Sequence, residues 1–238
     1  MASNDNFFRI LYGFGYDPFT DDYLIVSGSF KHTNDPADSS IDLAIFSLRA
    51  NQWKQIQSAS HFPYWTIDTC VDPGVGLLLS HVIHWLVHNY ETSRYAIIGF
   101  DLKEMRMSEI AMPDDIIFIS NTSFLKFGLL VLRGLISAWI TNNYTTTIWV
   151  MHEYNVHSSW TKTLSFLPAP DFSPLCFTNC GDIVGIVRGG GLVKFNDKGQ
   201  LLEDHSFGKC YFKRSKMRVY TESLLSLPSG NGQALAAS

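Results

Sequence analysis

Three histidines, His81, His84 and His88, stand within eight residues of one another, and imidazole nitrogens are frequent zinc ligands. The surrounding sequence has strand character. In a strand His81 points away from His84, while His84 and His88 share a side but lie about 13 Å apart at about 3.3 Å per residue. One zinc ion therefore cannot be held by this set alone. We predict no metal site here and interpret His84 as a residue of a half-buried strand.

The four cysteines are too few for a disulfide scaffold; they are Cys70, Cys176, Cys180 and Cys210. Cys176 and Cys180 are four residues apart, but no second cysteine pair or nearby histidine completes a zinc set. We predict buried, free thiols.

Paired carboxylates could act as acid and base; the candidates are Asp17, Asp21 and Asp22, and separately Asp114 and Asp115. Both groups adjoin prolines, where aspartate usually forms turns. The glycine segments at 13–15 and 189–191 are too short for dinucleotide binding, and the second fits a hairpin turn. We predict no catalytic residue and no cofactor site.

The six tryptophans could anchor a protein partner, because tryptophan is enriched at energetically important interface positions. Trp53 and Trp160 occupy equivalent places in the repeats described next, so we expect them to pack between repeats. Trp65 follows aromatic residues in segment 61–64, which has the character of a loop. We predict that Trp65 is a partner-binding surface anchor.

Strand-like segments recur along the chain and must position these residues. They are residues 23–30, 41–48, 77–87, 95–101, 106–110, 129–140, 145–154, 160–166, 182–187, 192–196, 200–206 and 217–227. Ile41, Leu43 and Ile45 occupy every second position and alternate with the segment's other residues, Asp42, Ala44 and Phe46. This period of two is typical of a strand that has one more buried face. No segment keeps a helical period over three turns, so we expect no large helix.

One pattern repeats at the end of a strand in each unit: an aromatic residue followed by a short polar one. It occurs at spacings of 54, 54 and 41 residues, at Phe46-Ser47, Phe100-Asp101, Tyr154-Asn155 and Phe195-Asn196. The aromatic residue anchors the strand end, and the polar residue opens the turn by bonding its own backbone. Repeats of about 40–50 residues with three or four strands predict an all-β fold, a β-propeller.

The segment Tyr12-Gly-Phe-Gly-Tyr-Asp-Pro-Phe-Thr-Asp-Asp-Tyr23-Leu-Ile-Val resembles the opening signature of the plant F-box-associated domain, type 1, a kelch-like propeller. Further matches follow in the family's order, among them Val82-Ile-His-Trp-Leu86 and Ile97-Ile-Gly-Phe-Asp-Leu102. The resemblance implies an incomplete kelch-like β-propeller of about four to five blade-like units over residues 12–227. We expect a stub at 1–11 and a disordered tail at 228–238.

In that family the domain follows an F-box, which docks on the Skp-type adaptor of a cullin–RING ubiquitin ligase (SCF), while the propeller selects the protein to be ubiquitinated. Eleven residues precede Tyr12 and would span about 16 Å as a helix at about 1.5 Å per residue. We therefore expect no F-box in this chain and a ring that lacks an early blade. The resemblance implies a recognition domain, here either a truncated form or a fragment that competes with full-length relatives.

Composition and charge exclude several classes of protein and indicate where the protein is located. The 17 Phe, 10 Tyr and 6 Trp exclude a disordered chain, and a net charge of −4 offers no basic surface for nucleic acid or an anionic membrane. The N-terminus has no secretory signal pattern, and the most apolar stretch, 124–140, is interrupted by Lys126 and Arg133. We expect an intracellular protein, cytoplasmic or nuclear, with reduced thiols.

Two functions of different classes stay open at this point. The first is a non-enzymatic protein-interaction domain that binds an unidentified target protein through loops at one rim of the ring. The alternative is a propeller enzyme or a carbohydrate-binding module, because propellers also host hydrolases and oxidases. The alternative would need carboxylates that converge in a cleft.

Overall fold

The computed structural model describes residues 10–31, 39–59, 61–67, 74–113, 116, 126–142, 145–167, 172–187 and 191–205. These residues form four antiparallel sheets that follow one another along the chain. A 3₁₀ turn, His157–Ser159, precedes the last strand of the third sheet. The predicted all-β architecture of about four to five units is thus confirmed, with four sheets in the described ranges.

Each sheet is an antiparallel meander. The first sheet contains β1 (Ile10–Asp17), β2 (Asp22–Lys31), β3 (Ser40–Ser47) and β4 (Gln52–Ala59). The second contains β5 (Tyr64–Thr66), β6 (Leu77–Leu79), β7 (Val82–Asn89), β8 (Arg94–Asp101) and β9 (Arg106–Ala111). The third contains β10 (Lys126–Leu132), β11 (Leu135–Thr141), β12 (Thr146–Met151) and β13 (Trp160–Phe166). The fourth contains β14 (Ser173–Phe177), β15 (Ile183–Val187), β16 (Gly191–Phe195) and β17 (Leu201–His205).

Two segments expected as single strands are each two strands. Segment 77–87 breaks between β6 and β7, where Ser80 takes a φ of 58°. Segment 129–140 breaks at Arg133 and Gly134, whose φ values of 51° and 77° form a two-residue hairpin turn with both residues left-handed. Apolar residues on both sides of these turns hide the turn from a hydrophobicity pattern.

The first position of the second sheet is shared by β5 and β6, which pair with different halves of β7. The chain between them reaches the first sheet through backbone hydrogen bonds. The Tyr12 amide in β1 donates to the Gly74 carbonyl at 2.7 Å, and the Tyr12 carbonyl accepts from the Gly76 amide at 2.8 Å. The Trp85 indole also donates to the Tyr12 carbonyl at 3.0 Å. These bonds join the inner edge of the first sheet to the second.

Three hydrophobic cores lie between consecutive sheets. The inner sheets are covered on both sides, so neighbouring residues of one strand enter different cores. Ile98 packs into the core shared with the first sheet, and Ile97 into the core shared with the third. Burying one such side chain contributes about 1.5–3 kcal/mol, so these cores hold the sheets as a rigid stack.

The first sheet is covered on one side, because residues of β3 alternate between buried and half-buried. Within the described ranges, no strand of the fourth sheet pairs with the first, so the strands of these ranges form no closed ring. No helix in these ranges is long and apolar enough to cross a membrane.

The ends of the sheets form two rims of different character. The tight-turn rim carries the first and third connection of each sheet, for example residues 18–21, 102–105 and 133–134. The connection rim carries the second connection of each sheet and the longer segments between sheets. Contacts align the rims across sheets: Lys103 lies 4.7 Å from the Phe19 ring on one side, and the Tyr95 and Phe127 rings lie 4.6 Å apart on the other.

Several expectations fall outside the described residues. They concern the strand-like segment 217–227, the tail 228–238, Asp114, Asp115, Cys70, Cys210, Gly189 and Gly190.

Candidate partner-binding surface

The repeated polar residues hold the tight-turn rim, as the sequence predicts. The Asp101 carboxylate accepts hydrogen bonds from the amides of Lys103 and Glu104 at 2.8 and 2.9 Å. Ser47 and Asn196 cap the corresponding turns of the first and fourth sheets. In the third sheet β12 already ends at Met151, so Tyr154-Asn155 lies in the turn itself.

The acidic residues at the start of the chain also hold turns. Asp17, which is 2% exposed, accepts hydrogen bonds from the Phe19 amide and the Thr20 hydroxyl at 3.0 and 2.6 Å. Buried Asp22 accepts from the Arg49 amide at 2.9 Å and from the Ser47 hydroxyl. The Asp17 oxygens therefore hold their own turn, as expected, whereas the Asp22 oxygens hold the distant turn that follows β3.

The three histidines have three separate environments. His84 is 1% exposed, and its Nε2 lies 2.9 Å from the Tyr154 hydroxyl of the third sheet. Burial lowers the pKa of His84 to about 4, so its imidazole is neutral near pH 7. His81 pairs with Asp101, and His88 contacts Trp65. In the part of the chain that the structure describes, no group of three ligating side chains could hold a metal ion.

Cys176 and Cys180 are free thiols, as predicted. Cys176 is half-buried in β14, and burial raises the pKa of its thiol. Cys180 is exposed in the following turn, so the expectation of burial is wrong for this residue.

Trp65 lies in strand β5 at the connection rim, so its assignment to a loop is wrong. Its side chain is half-buried. The indole nitrogen donates to Nδ1 of His88 at 3.3 Å, and the Tyr90 ring packs edge-on at 5.6 Å. Trp65 is therefore held in place by its own sheet, and its role as a partner anchor stays a prediction.

Aromatic contacts continue from Trp65 across two sheets. The His88 and Tyr95 rings lie 5.2 Å apart, and Tyr95 contacts Phe127 at the start of the third sheet. Burial lowers the pKa of His88, which favours the neutral imidazole that accepts from Trp65. We call Trp65, His88, Tyr90 and Tyr95 the rim cluster; these half-buried side chains form a preformed surface at the connection rim, and Phe127 beside Tyr95 is buried in the core.

The two tryptophans at equivalent positions of the repeats, Trp53 and Trp160, have different environments. Trp160 does join two sheets, since its indole donates to the Ala111 carbonyl of β9 at 2.9 Å. Trp53 does not: it is 56% exposed in β4, and its ring packs against Phe46 of the same sheet at 5.3 Å. Its side of the first sheet has no neighbouring sheet in the described ranges.

Sequence reasoning missed the apolar surface around Trp53. In register across the four strands, Phe14 pairs with Ile25, Ile25 with Phe46, and Phe46 with Trp53. Tyr23 stacks on Phe14 with ring centroids 5.5 Å apart. We call these five residues the aromatic face.

The signal for the aromatic face is the alternation of aromatic residues with Gly13 and Gly15 in β1. A Cβ on Gly13 would lie 2.5 Å from Ile83, and one on Gly15 would lie 2.8 Å from Leu102. The glycines thus permit close packing on the second sheet, and the aromatic residues point to the opposite side. A hydrophobic pattern alone suggests the reverse, with the aromatic residues in the core.

Comparison with known families identifies the fold. The family model described as "F-box associated beta propeller domain" matches residues 3–211, most of the chain. The chain belongs to this family. The resemblance noted in the sequence is therefore confirmed.

Curated relatives of this F-box associated domain are F-box proteins of Arabidopsis thaliana. The F-box protein CPR1 is 28% identical over 169 residues, which cover 66% of this chain and 40% of the relative. The F-box/kelch-repeat protein At3g23880 is 24% identical over 197 residues, 82% of this chain and 50% of the relative. The chain thus spans about half or less of the length of these relatives.

Solved structures with similar architecture include a propeller. The β-propeller domain of the Trilobed protease from Pyrococcus furiosus aligns with 82% of this chain and 58% of its own, at 13% identity and a TM-score of 0.41. An oligogalacturonate lyase in complex with manganese covers 75% of this chain and 49% of its own, at 10% identity and a TM-score of 0.44. The family assignment rests on the family model and the four sheets.

Proposed function

We propose that this F-box associated domain is the target-recognition part of an F-box-type protein. It binds a protein at the connection rim and itself makes or breaks no covalent bond. The observation that carries the proposal is the match to the F-box associated domain over residues 3–211, and curated relatives of the chain are named F-box proteins. By extension, the bound protein is ubiquitinated by a cullin–RING ligase (SCF), whose Skp-type adaptor is contacted through an F-box.

The architecture supports recognition for a physical reason. The three cores hold the sheets rigidly, so the connections at one rim present convergent contacts with little loss of conformational freedom on binding. In the rim cluster, the Trp65 indole is already fixed by His88 and Tyr90. A partner that packs on it therefore pays a small ordering cost.

Trp65→Ala tests the proposed rim. Loss of an interface anchor of this kind costs about 2 kcal/mol or more, roughly 30-fold in affinity. The chain and its variants would capture proteins from a cell extract, and the affinity of each captured target would then be measured with purified components. We expect Trp65→Ala to weaken the target by that factor.

The matched control is Phe19→Ala, which removes a 65% exposed aromatic ring from the opposite rim and should leave the target affinity unchanged. Thermal unfolding of both variants verifies that they are folded. An unchanged affinity in Trp65→Ala would remove Trp65 from the binding surface, and loss only in Phe19→Ala would move the surface to the tight-turn rim.

A pull-down with a purified Skp-type adaptor tests whether this domain binds the target while the F-box binds the adaptor. We expect this chain to retain its target and not the adaptor, because the adaptor is contacted by the F-box. Direct adaptor binding would contradict that division. The proposal places the protein inside the cell, where Cys176 and Cys180 stay reduced.

A further inference from the structure

Trp65 is held by a hydrogen bond whose acceptor can take up a proton. The indole nitrogen can only donate, so its bond to Nδ1 of His88, at 3.3 Å, requires that Nδ1 carries no proton. The imidazole therefore binds Trp65 as the neutral tautomer with its proton on Nε2. A second proton would occupy Nδ1, and two N–H groups would then face each other across this contact.

Strand β5, which carries Trp65, is held by side chains on both sides of the second sheet. It has three residues and lies at the end of the strand order, where it pairs with β7. Neighbouring residues of a strand point to opposite sides, so the Tyr64 hydroxyl donates to Glu109 on one side while Trp65 donates to His88 on the other. Loss of the bond to His88 therefore weakens the attachment of Trp65 while Tyr64 stays bonded.

We propose that His88 is the positioning residue of the rim cluster and makes this surface sensitive to pH. As a neutral imidazole it holds the Trp65 indole in place for the target. Proton uptake by His88 releases the indole and weakens target binding. The release concerns this chain alone, whereas the effect on binding rests on the proposed function, because it takes Trp65 as a contact of the target.

The surroundings of His88 place this change in acidic solution. The Trp65 indole faces the imidazole from β5, and the Tyr95 ring faces it from β8 at 5.2 Å. Burial lowers the pKa of His88 from its ordinary value of 6.5. The bond is therefore intact near pH 7 and is lost as the pH falls through the pKa of His88, below 6.5.

Other titratable groups lie on the elements around His88. Besides Tyr95, the described residues that carry them are His61, Tyr90, Glu91, Arg94 and Lys126. The His61 and Glu91 side chains pair with each other at 3.5 Å. Burial, rather than any of these charges, is the cause of the lowered pKa of His88, so the expected change follows the protonation of His88 itself.

NMR of the indole N–H groups tests the release without any target. Trp65→Phe assigns the Trp65 resonance among those of the six tryptophans. Between pH 7.5 and 5.0 we expect this resonance to move in one transition below pH 6.5; the buried His84, with a pKa of about 4, stays neutral over this range. The Trp160 indole is the internal control and should not move, because it donates to the Ala111 carbonyl at 2.9 Å, an acceptor that takes up no proton.

Two substitutions of His88 separate the proton from the ring. His88→Asn offers an amide oxygen close to the position of Nδ1 and does not titrate, so the Trp65 resonance should keep its bonded position at every pH. His88→Phe keeps a ring but offers no acceptor, so the resonance should keep its unbonded position. The matched control Tyr64→Phe removes the bond on the other side of the sheet and should retain the transition. A Trp65 resonance that does not move in the unmodified chain, or that still moves in His88→Asn because another group such as His61 titrates, overturns the proposal.

The affinity of the captured target at pH 7.5 and 5.0 tests the effect on binding. A target that binds only the neutral form loses about tenfold in affinity for each pH unit below the pKa of His88, up to the roughly 30-fold expected for loss of Trp65. His88→Asn should remove this pH dependence, which distinguishes it from titration of the target. The same pH dependence in the unmodified chain and in His88→Asn would contradict the effect on binding.

Trp65→Ala separates failure of this inference from failure of the proposed function. If Trp65→Ala weakens target binding and acidic pH does not, Trp65 is a contact of the target and His88 is not its positioning residue. If neither weakens binding, Trp65 lies outside the target surface, which contradicts the proposed rim as well. Loss of affinity in both, with the pH dependence absent in His88→Asn, supports the inference.

Discussion

Tyr154→Phe tests how the second and third sheets are held together at the tight-turn rim. The Tyr154 hydroxyl lies 2.9 Å from Nε2 of His84, and Nδ1 of His84 lies 3.2 Å from the Leu77 carbonyl oxygen. A carbonyl oxygen can only accept, so Nδ1 carries the proton and Nε2 accepts from Tyr154. Among the described residues, the substitution removes the donor that Tyr154 offers to the buried Nε2 of His84 and keeps the aromatic ring.

The expected cost follows from burial. His84 is 1% exposed, so water cannot replace the lost hydroxyl without rearrangement. Leaving a buried polar atom without a partner costs about 1–3 kcal/mol. For a chain of this size each kcal/mol lowers the melting temperature by about 2–4 °C, which gives a decrease of about 2–12 °C.

Urea unfolding followed by tryptophan fluorescence, together with a thermal melt, measures the effect. Tyr12→Phe is the matched control, because Tyr12 is 44% exposed, and it should change the free energy of unfolding by less than about 0.5 kcal/mol. Equal stability of Tyr154→Phe and the unmodified chain, or an equal loss in Tyr12→Phe, would refute the structural role of this hydrogen bond.

Two further predictions concern the packing of the second sheet against its neighbours. Because burial lowers the pKa of His84 from 6.5 to about 4, the unfolded chain takes up a proton that the folded chain excludes, so stability is retained above pH 6.5 and lost as the pH falls toward 4. The loss in free energy of unfolding is about 3 kcal/mol, since each unit of pKa shift corresponds to about 1.4 kcal/mol. If the urea midpoint of His84→Gln depended on pH in the same way as that of the unmodified chain, this prediction would be contradicted. Gly13→Ala places a Cβ 2.5 Å from Ile83 and should cost about 1–3 kcal/mol in urea unfolding, whereas Ser27→Ala, on the uncovered side of the first sheet, should cost little. A Gly13→Ala variant as stable as the original would contradict the close packing of the first two sheets.

Strands and turns that depend on neighbouring residues could be predicted from the sequence. The period of two in β3 and the polar residue after the third strand are local patterns, and the structure confirms both. Asp101 and Asn196 act within four residues of their own position. Such bonds need no knowledge of the rest of the fold.

Features that depend on distant parts of the chain could not be predicted in this way. Strand β1 contains glycines, which are rare in strands, and it forms because Gly13 and Gly15 pack on the second sheet. The environment of Trp65 depends on His88, which is 23 residues away. Trp53 is exposed because its side of the first sheet has no partner sheet in the described ranges.

Hydrogen exchange of the chain with and without its captured target measures most directly whether the connection rim is the recognition surface. We expect slower exchange on target binding in β5 and in residues 88–95, which carry the rim cluster. Residues 18–21 and 102–105 of the tight-turn rim should exchange at the same rate in both states. Protection confined to the tight-turn rim, or chemical conversion of the bound target by the purified chain alone, would contradict a recognition domain that binds at the connection rim.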